Sequence, residues 1–227
     1  FALLLWATVG MMLLAAAEEL ATLFLSLETM TICLYLAAGF EKGRRRSPEA
    51  GLKYFIYGSV SSALFLYGLS LVYGLAGTTY LDGIGDALAR GEAGLGGDLA
   101  GGAAMLLILV GFGFKLAAVP FHQWAPDVYE GAPAPVAAWI ATGSKVAAFL
   151  AFLKVFLHAL APWTSPAGQP MGPGWTAVVA IVAAATMTYG NFAALVQKNY
   201  KRMLGYSSIA HGGYLLVGLA AAGVSTD

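Results

Sequence analysis

Residues 105–124 read MLLILVGFGFKLAAVPFHQW, and residues 134–154 read APVAAWIATGSKVAAFLAFLK. Both stretches are long and apolar, and each carries a lysine near its middle, Lys115 in the first and Lys145 in the second. A cation at the centre of a bilayer-length helix costs about 2.5–3.5 kcal/mol on the most lenient scale. Together with Glu28 in a third apolar stretch, the two lysines predict a path for ions or protons through a membrane.

The composition of the chain is typical of a membrane protein. Of its 227 residues, 59% are hydrophobic and 11% are charged, whereas soluble domains average about 25% charged residues. Residues 54–81 and 155–197 carry no formal charge, and about 20 apolar residues suffice for a spanning helix. A soluble protein with a large core would need helices with polar faces, and these stretches are apolar on all sides. The sequence therefore predicts an all-α, polytopic transmembrane helix bundle.

The apolar stretches predict seven spans, one of them a proline-broken helix. They lie at roughly 1–17, 20–40, 51–75, 103–130, 133–157, 174–197 and 201–222. The fourth should break just after Lys115, because Pro120 lacks a backbone donor and biases Val119 away from the helical region. In lipid, such a break persists only where it is buried in protein or lines a wet cavity. A lysine beside it marks a functional position.

The loops between the predicted spans divide by charge. Residues 41–50 and 198–202 contain the basic clusters, and four predicted spans separate them, so both should lie on one side of the membrane. The positive-inside rule makes that side cytoplasmic. The loops on the opposite side are residues 18–19, 76–102 and 158–173. Of these, residues 76–102 are expected to form an exposed loop or a short surface helix.

Several kinds of chemistry have no support in the sequence. Neither common type of phosphate-binding glycine loop is present. One cysteine, Cys33, cannot hold an iron–sulfur cluster. The three histidines, His122, His158 and His211, lie on different segments without the spacing of metal ligands. The formal net charge of zero gives no indication of a nucleic-acid partner. We therefore expect any redox chemistry linked to this chain to take place elsewhere.

Two motifs carry a family resemblance. Residues 114–136 read FKLAAVPFHQWAPDVYEGAPAPV, and residues 199–214 read NYKRMLGYSSIAHGGY. Both resemble the antiporter-like membrane subunits of respiratory NADH:quinone oxidoreductase (complex I). The core Lys-x-x-x-x-Pro-x-His-x-Trp-x-Pro-Asp is shared with sister subunits and with multisubunit sodium/proton antiporters. The continuation V-Y-E-G-A-P is similar to subunits of the N type.

The resemblance implies a fold, a location and an assembly. It implies two five-helix repeats that are inverted in the membrane, with residues 1–157 as the first repeat and 174–227 as the start of the second. The chain would then be the middle portion of a longer subunit in a bacterial inner membrane. Its partners would be the lipid bilayer and the neighbouring antiporter-like and small membrane subunits of complex I. No cofactor is expected in this chain, whereas FMN, iron–sulfur clusters and quinone are expected in other subunits.

Four positions match the functional residues of the family. Glu28 matches a buried glutamate, and Lys115 matches the lysine on the broken helix. Lys145 matches the lysine on the following helix, and Lys53 matches a further lysine at the cytoplasmic start of the third span. The resemblance implies that these residues translocate protons. His211, within the seventh span, is a further candidate for proton transfer.

Lys115 and Glu28 also have structural interpretations. Lys115 could snorkel to an interface, but it lies about twelve residues, or roughly 18 Å, into its span. Glu28 could satisfy a packed hydroxyl such as that of Thr29 or Thr31. It could equally be the partner of Lys115, because a buried cation needs one.

Alternatives remain open for the other candidates. Lys53 could be a boundary charge that follows the positive-inside rule. His211 and His122 could be hydrogen-bonded core residues, or they could relay protons, because imidazole titrates near neutral pH.

The candidates suggest a switch. Burial disfavours the charged form of a lysine, and a nearby carboxylate favours it. Moving the charge of Glu28 away should therefore release a proton from Lys115, and returning it should reload the lysine. Lys145 would take the proton next, along a hydrated line through the middle of the membrane, and the break at Pro120 would offer a hinge and backbone groups for water.

Three other functions compete with this one. A subunit of a multisubunit cation/proton antiporter shares the core motif, but the V-Y-E-G-A-P continuation argues against it. A structural scaffold, in which salt bridges seal the lysines, fits a buried ion pair as well as a switch does. A quinone site within the chain has little support, because the aromatic residues equally match bilayer anchoring.

Overall fold

The computed structural model describes residues 1–90, 97–165 and 174–224, and nearly all of them are helical. The remaining residues belong to the predicted loops 76–102 and 158–173 and to the last three positions of 174–227, the predicted start of the second repeat. Short π-helical and 3₁₀ turns follow α8 at Val155–Ala159 and Ala161–Trp163. The helices are α1 (Ala2–Ala16), α2 (Leu20–Ala38), α3 (Arg46–Ala76), α4 (Leu81–Ala89), α5 (Gly97–Leu116), α6 (Trp124–Gly131), α7 (Ala134–Ala141), α8 (Gly143–Lys154), α9 (Trp175–Leu195) and α10 (Tyr200–Val224).

Six helical segments are long and apolar enough to cross a membrane: Leu20–Ala38, Arg46–Ala76, Leu99–Leu116, Ala134–Ala159, Trp175–Leu195 and Tyr200–Val224. They correspond to the second to seventh predicted spans. The predicted first span is the shorter apolar helix α1, which has 15 residues. The all-α, polytopic fold class predicted from the sequence is therefore confirmed.

The predicted fourth span, residues 103–130, is broken where the sequence indicated. Helix α5 ends at Leu116, one residue after Lys115, and the short helix α6 begins at Trp124. The Val119–Pro120 peptide bond is cis. The predicted fifth span, residues 133–157, was expected to be continuous, but it is also interrupted.

The interruption of the fifth span is a single residue, Thr142, between α7 and α8. The hydroxyl of Thr142 donates to the carbonyl of Ala138 at 2.8 Å, and the hydroxyl of Ser144 donates to that of Ile140 at 2.8 Å. Such bonds from serine and threonine to the preceding turn bend helices. The expectation of one broken helix overlooked this second irregularity because no proline marks it.

Aromatic side chains fill the core between α3, α5 and α8. Tyr54 stacks on Trp124 with ring centroids 4.4 Å apart, and Phe112 stacks on Phe152 at 4.8 Å. Phe65 meets Phe112 edge to face at 5.1 Å. These contacts fix the broken helix against α3, which brings the lysine of α5 next to the aromatic residues of α2 and α3.

The segment 76–102 contains a short helix, as one of the two sequence-based alternatives predicted. Helix α4 buries Leu81, Ile84 and Leu88 against the bundle, and it packs on the π-helical turn after α8. An isolated β-bridge joins Glu19 to Tyr80, so the loops at residues 18–19 and 76–80 lie at the same end of the bundle.

Candidate functional site: buried lysines beside a broken helix

Lys115 lies at the centre of the bundle and is only 2% exposed. Its ammonium nitrogen has no hydrogen-bond partner. It faces three aromatic rings instead, with Nζ lying 5.5 Å from the ring centroid of Tyr54, 5.7 Å from that of Tyr35 and 5.8 Å from that of Phe114. Aromatic faces attract a cation, but they do not replace the hydrogen bonds that an ammonium makes in water. The depth of Lys115 therefore rules out snorkelling in this structure.

The helix break next to Lys115 is a regular helix C-terminus with an unusual residue in it. Ala117 adopts a left-handed conformation with φ 57°. The amide of Ala118 donates to the carbonyl of Gly113 at 2.7 Å, and the amide of Ala117 donates to that of Phe114 at 3.0 Å. This is the Schellman pattern, in which glycine normally takes the left-handed position because a Cβ there is unfavourable. The chain is thus held in this turn by its surroundings.

Side chains of the protein satisfy backbone groups that the break exposes. The indole nitrogen of Trp124 donates to the carbonyl of Phe114 at 3.0 Å, and the amide of Val119 donates to the hydroxyl of Thr186 in α9 at 3.0 Å. The sequence-based hypothesis assigned such groups to water. These two groups are instead taken by α6 and α9, so the break is braced from both sides.

Glu28 is half-buried on α2 and accepts a hydrogen bond from the hydroxyl of Ser62 in α3 at 2.5 Å. The two hydroxyls considered from the sequence make other bonds, since Thr29 donates to the carbonyl of Leu25 and Thr31 to that of Leu27. The carboxylate makes no hydrogen bond with Lys115, whose nitrogen has no such partner.

Lys145 is 5% exposed and lies on α8 just after the interruption at Thr142. Its ammonium donates to the backbone carbonyl of Ser208 in α10 at 2.6 Å. The hydroxyl of the same serine bonds to the phenol of Tyr129 at 3.1 Å. Lys145 therefore connects the helix after the break to α10.

Lys53 belongs to an ion-pair network at one end of the bundle. Its ammonium lies 2.7 Å from a carboxylate oxygen of Asp127 in α6, and Arg202 of α10 donates to the other oxygen at 2.5 Å. Arg202 also reaches Glu130 at 3.3 Å, and Arg46 of α3 pairs with Glu130. Residues from the two basic loops thus meet on one short helix, which places both loops at the same end, as predicted.

Asp127 is at the centre of this network. Helix α6 is outside the six bilayer-length segments. Burial alone would raise the pKa of Asp127, but hydrogen bonds from Lys53 and Arg202 outweigh burial and hold the pKa below its ordinary value. A lowered pKa means that the folded protein stabilises the ionised carboxylate. The second half of the broken helix is therefore clamped between α3 and α10.

The two histidine candidates have different surroundings. His211 is exposed on α10, and its Nδ1 lies 2.8 Å from the carbonyl of Ser207. It lines an open, mostly apolar groove with Tyr129 and Lys201. His122 is buried in the turn after the break, where its ring packs on Tyr189 with centroids 4.4 Å apart.

Ser62, Asp127 and Arg202 are site residues that the sequence analysis did not single out. Asp127 and Glu130 had a visible signal, because two acids directly follow an apolar broken helix and so require partners. Ser62 gave no such signal. A serine in an apolar span is common, and only the rotation of α3 against α2 shows that it faces Glu28.

Close packing brings α10 onto the break. A Cβ added to Gly212 would lie 2.7 Å from the carbonyl oxygen of Leu116, the last residue of α5. Only glycine allows α10 to approach the end of the broken helix this closely. Lys115, Lys145 and the network at Asp127 are therefore held together by α10 as well as by the helices that carry them.

The fold and the site define a class of protein. Bilayer-length helices, one broken beside a buried lysine and one bent before a second, are typical of membrane transporters, in which irregular backbone and buried charge mark an ion pathway. Comparisons with known proteins agree with this class.

The family described as "NADH:quinone oxidoreductase/Mrp antiporter, TM" matches residues 17–226, and the chain belongs to it. The protein named NADH-quinone oxidoreductase subunit N of Heliobacterium modesticaldum is 48% identical over 229 residues, which cover 100% of this chain and 44% of the relative. The chain thus spans less than half the length of this relative. The resemblance to the subunit N type is confirmed.

Solved structures share the fold. A chain in the structure of respiratory complex I from Thermus thermophilus is 40% identical with a TM-score of 0.75, covering 96% of this chain and 44% of that one. A chain of the Mrp complex from Dietzia sp. has a TM-score of 0.80 at 23% identity, covering 96% of this chain and 38% of that one. At this identity the second likeness shows the fold alone.

Proposed function

We propose that this chain is the proton-translocating membrane portion of an NADH-quinone oxidoreductase subunit. It carries protons along Glu28, Lys115 and Lys145, driven by quinone reduction in other subunits. The observation that carries the proposal is the ammonium of Lys115, which is 2% exposed and has no hydrogen-bond partner. The relatives named subunit N support the assignment to this complex.

The surroundings of Lys115 favour a proton-exchanging role over a scaffold role. A scaffold would need the lysine to be sealed by a salt bridge, because an unpaired buried charge is strongly destabilising, by about 3–5 kcal/mol. The three aromatic rings attract the ammonium, but no hydrogen-bond acceptor pairs with it. A lysine in such a site is stabilised when it gives up its proton, and this is what a transfer step requires.

Glu28 controls that exchange through its position. Its carboxylate is held by Ser62 at 2.5 Å and does not hydrogen-bond the ammonium of Lys115. When the carboxylate leaves Ser62 and approaches the lysine, its charge favours the loaded state, and when it returns to Ser62, the lysine releases its proton. Ser62 thus holds the carboxylate in its resting position.

Lys145 takes the proton next. It is buried and donates to the carbonyl of Ser208 at 2.6 Å, so its ammonium is stabilised where that of Lys115 is not. The difference supports transfer from Lys115 toward Lys145. Lys53 is paired with Asp127 at one end of the bundle, and we assign it to proton entry or exit. His211 lines an open groove together with Ser208, whose carbonyl accepts from Lys145, and we assign it to proton transfer beyond Lys145.

Location, orientation and assembly belong to the same proposal. The chain lies in a bacterial inner membrane with residues 41–50 and 198–202 on the cytoplasmic side. Residues 1–157 form the first inverted repeat and 174–227 begin the second. Other membrane subunits of complex I are its partners. Redox catalysis, with FMN, iron–sulfur clusters and quinone, takes place in other subunits, so the chain acts as part of a translocase.

The exchange of Glu28 for glutamine in the intact complex tests the proposal. Gln keeps the size of the side chain and removes its charge, so Lys115 can no longer be switched. We expect NADH-driven proton uptake into membrane vesicles and NADH:quinone electron transfer to fall together, with the complex still assembled.

The matched control is Glu18→Gln, because Glu18 is exposed at the bundle end. Wild-type proton uptake in Glu28→Gln would contradict the switch. Sodium-dependent pH changes in vesicles without NADH would favour the cation/proton antiporter alternative instead.

A further inference from the structure

Three buried polar atoms around Lys115 lack hydrogen-bond partners: the ammonium itself and the hydroxyls of Tyr35 and Tyr54. Roughly 90% or more of buried polar groups in folded proteins are hydrogen-bonded. Both tyrosine rings lie within 5.7 Å of the lysine nitrogen, measured to the ring centroid. Three unpaired polar groups in one buried cluster lower the stability of the fold, which indicates that they have a functional role.

Tyr35 differs from Tyr54 in how its hydroxyl is accommodated. A Cβ added at Gly58 of α3 would lie 1.6 Å from the hydroxyl oxygen of Tyr35 and 2.4 Å from its ring carbon Cζ. The hydroxyl therefore occupies the space that any other residue at position 58 would fill. Glycine in the interior of a helix costs about 0.5–1 kcal/mol relative to alanine. In return, α3 gains a notch that fixes the Tyr35 hydroxyl.

The notch at Gly58 lies on the same face of α3 as Ser62, which holds Glu28. Gly58 and Ser62 are four residues apart on α3, and Glu28 and Tyr35 are seven apart on α2, so each pair shares one face of its helix. Ser62 holds the carboxylate of Glu28 at 2.5 Å, and the Tyr35 hydroxyl fits against Gly58 one turn away. The same two helix faces thus carry both contacts, and the ring of Tyr35 also faces Lys115.

The chemistry of the three groups fits a relay. An ammonium only donates hydrogen bonds, an ionised carboxylate only accepts them, and a phenol does both. Tyr35 is on the helix of Glu28 and beside Lys115, so it can accept from one and donate toward the other. The hydroxyl of Tyr54, which has no such notch in α2 or α3, faces Trp124 and Phe114 through its ring.

We propose that the Tyr35 hydroxyl, seated at Gly58, is the polar link through which Lys115 and Glu28 exchange a proton. This inference rests on the proposed function. In the transfer, the O–H bond of protonated Glu28 breaks and its proton goes to the phenol oxygen, while the phenol O–H proton passes to the neutral amine of Lys115, directly or through one water molecule. Glu28 becomes a carboxylate, Lys115 an ammonium that can pass its proton on toward Lys145, and the phenol is regenerated.

The test is Tyr35→Phe in the intact complex in membrane vesicles, since this exchange removes one oxygen and keeps the ring that faces Lys115. We expect NADH-driven proton uptake to fall about tenfold, less than the 10²–10⁴-fold that a positioned acid or base supplies. We also expect the solvent deuterium isotope effect on turnover to rise, because an interrupted relay makes proton transfer limiting. A purely structural role would leave the isotope effect unchanged.

Gly58→Ala provides a second, independent variant, because it displaces the hydroxyl end of the Tyr35 ring without replacing the tyrosine. It should reproduce both changes. The matched controls are Tyr57→Phe, an exposed tyrosine next to the notch, and Gly74→Ala, at a position of the same helix with nothing within 4 Å. Both controls should keep wild-type rates and isotope effects.

The outcomes separate this inference from the proposed function. Wild-type rates and isotope effects in Tyr35→Phe, with Glu28→Gln inactive in the same vesicles, would overturn the relay and leave the switch intact. Equal effects of Tyr35→Phe and Tyr54→Phe would assign the loss to any hydroxyl beside Lys115, which also overturns the relay. Wild-type behaviour of Glu28→Gln would refute the proposed function itself. If Tyr35→Phe fails to assemble, the isotope effect of Gly58→Ala decides.

Discussion

Ser62→Ala should weaken the proposed switch while leaving its two charged residues, Glu28 and Lys115, in place. In the structure the Ser62 hydroxyl donates to Glu28 at 2.5 Å, and alanine removes this donor while leaving the backbone of α3 unchanged. The carboxylate then loses the hydrogen bond that fixes it at Ser62. We therefore expect Glu28 to remain near the lysine, which keeps Lys115 protonated and slows its release step.

The size of the effect follows from the bond that is lost. A hydrogen bond to a charged group contributes about 1.5–3 kcal/mol, and every 1.4 kcal/mol changes an equilibrium about tenfold. Ser62→Ala should thus shift the position of Glu28 by a factor of roughly 10 to 150. If release from Lys115 limits pumping, the rate of proton uptake should fall by at least about tenfold.

The assay is the initial rate of NADH-driven proton uptake into membrane vesicles, normalised to the amount of assembled complex on native gels. Ser70→Ala is the matched control, because Ser70 is exposed on the same helix and donates only to the carbonyl of Tyr67. Wild-type proton uptake should persist in the control. Equal rates for Ser62→Ala and Ser70→Ala would refute the reasoning.

Two further exchanges test how the break and α6 are held. Gly212→Ala should destabilise the chain in the complex by about 1–3 kcal/mol, because its Cβ would meet the carbonyl of Leu116 at 2.7 Å. Gly218→Ala, with nothing within 4 Å of the added Cβ, should be neutral or stabilise by up to about 1 kcal/mol. Loss of the subunit from the detergent-solubilised complex on heating measures both, and equal behaviour would contradict the close contact. Asp127→Asn should lower stability in the same assay by about 1–2 kcal/mol, since it loses charged hydrogen bonds that are partly exposed. Asp82→Asn, at an exposed position, should change stability little. A comparable loss there would show that the ion-pair network around Asp127 does not account for the effect.

Features that depend on the local sequence could be predicted. The break after Lys115 followed from Pro120, and the structure ends α5 at Leu116. The depth of Lys115 and Lys145 followed from their positions in apolar stretches, and both are buried. These predictions succeeded because helix length and proline geometry are set within a few residues of one another.

Features that depend on how helices face one another could not be predicted. The bond between Ser62 and Glu28 requires a particular rotation of α3 against α2, and the pair of Asp127 and Arg202 joins residues 75 positions apart. The left-handed Ala117 also gave no signal, because the residue type disfavours that conformation and only tertiary contacts impose it. The sequence indicated charged residues that need partners, but it did not show which ones.

Lys115→Ala in the intact complex is the most direct test of the central claim that this buried lysine exchanges protons. NADH:quinone electron transfer and proton uptake should be followed together in membrane vesicles, with assembly checked on native gels. The account predicts that both activities fall while the complex remains assembled, because a proton path coupled to redox chemistry has lost its central carrier. Electron transfer and proton uptake that both persist at wild-type rates would contradict it and would make Lys115 a structural residue.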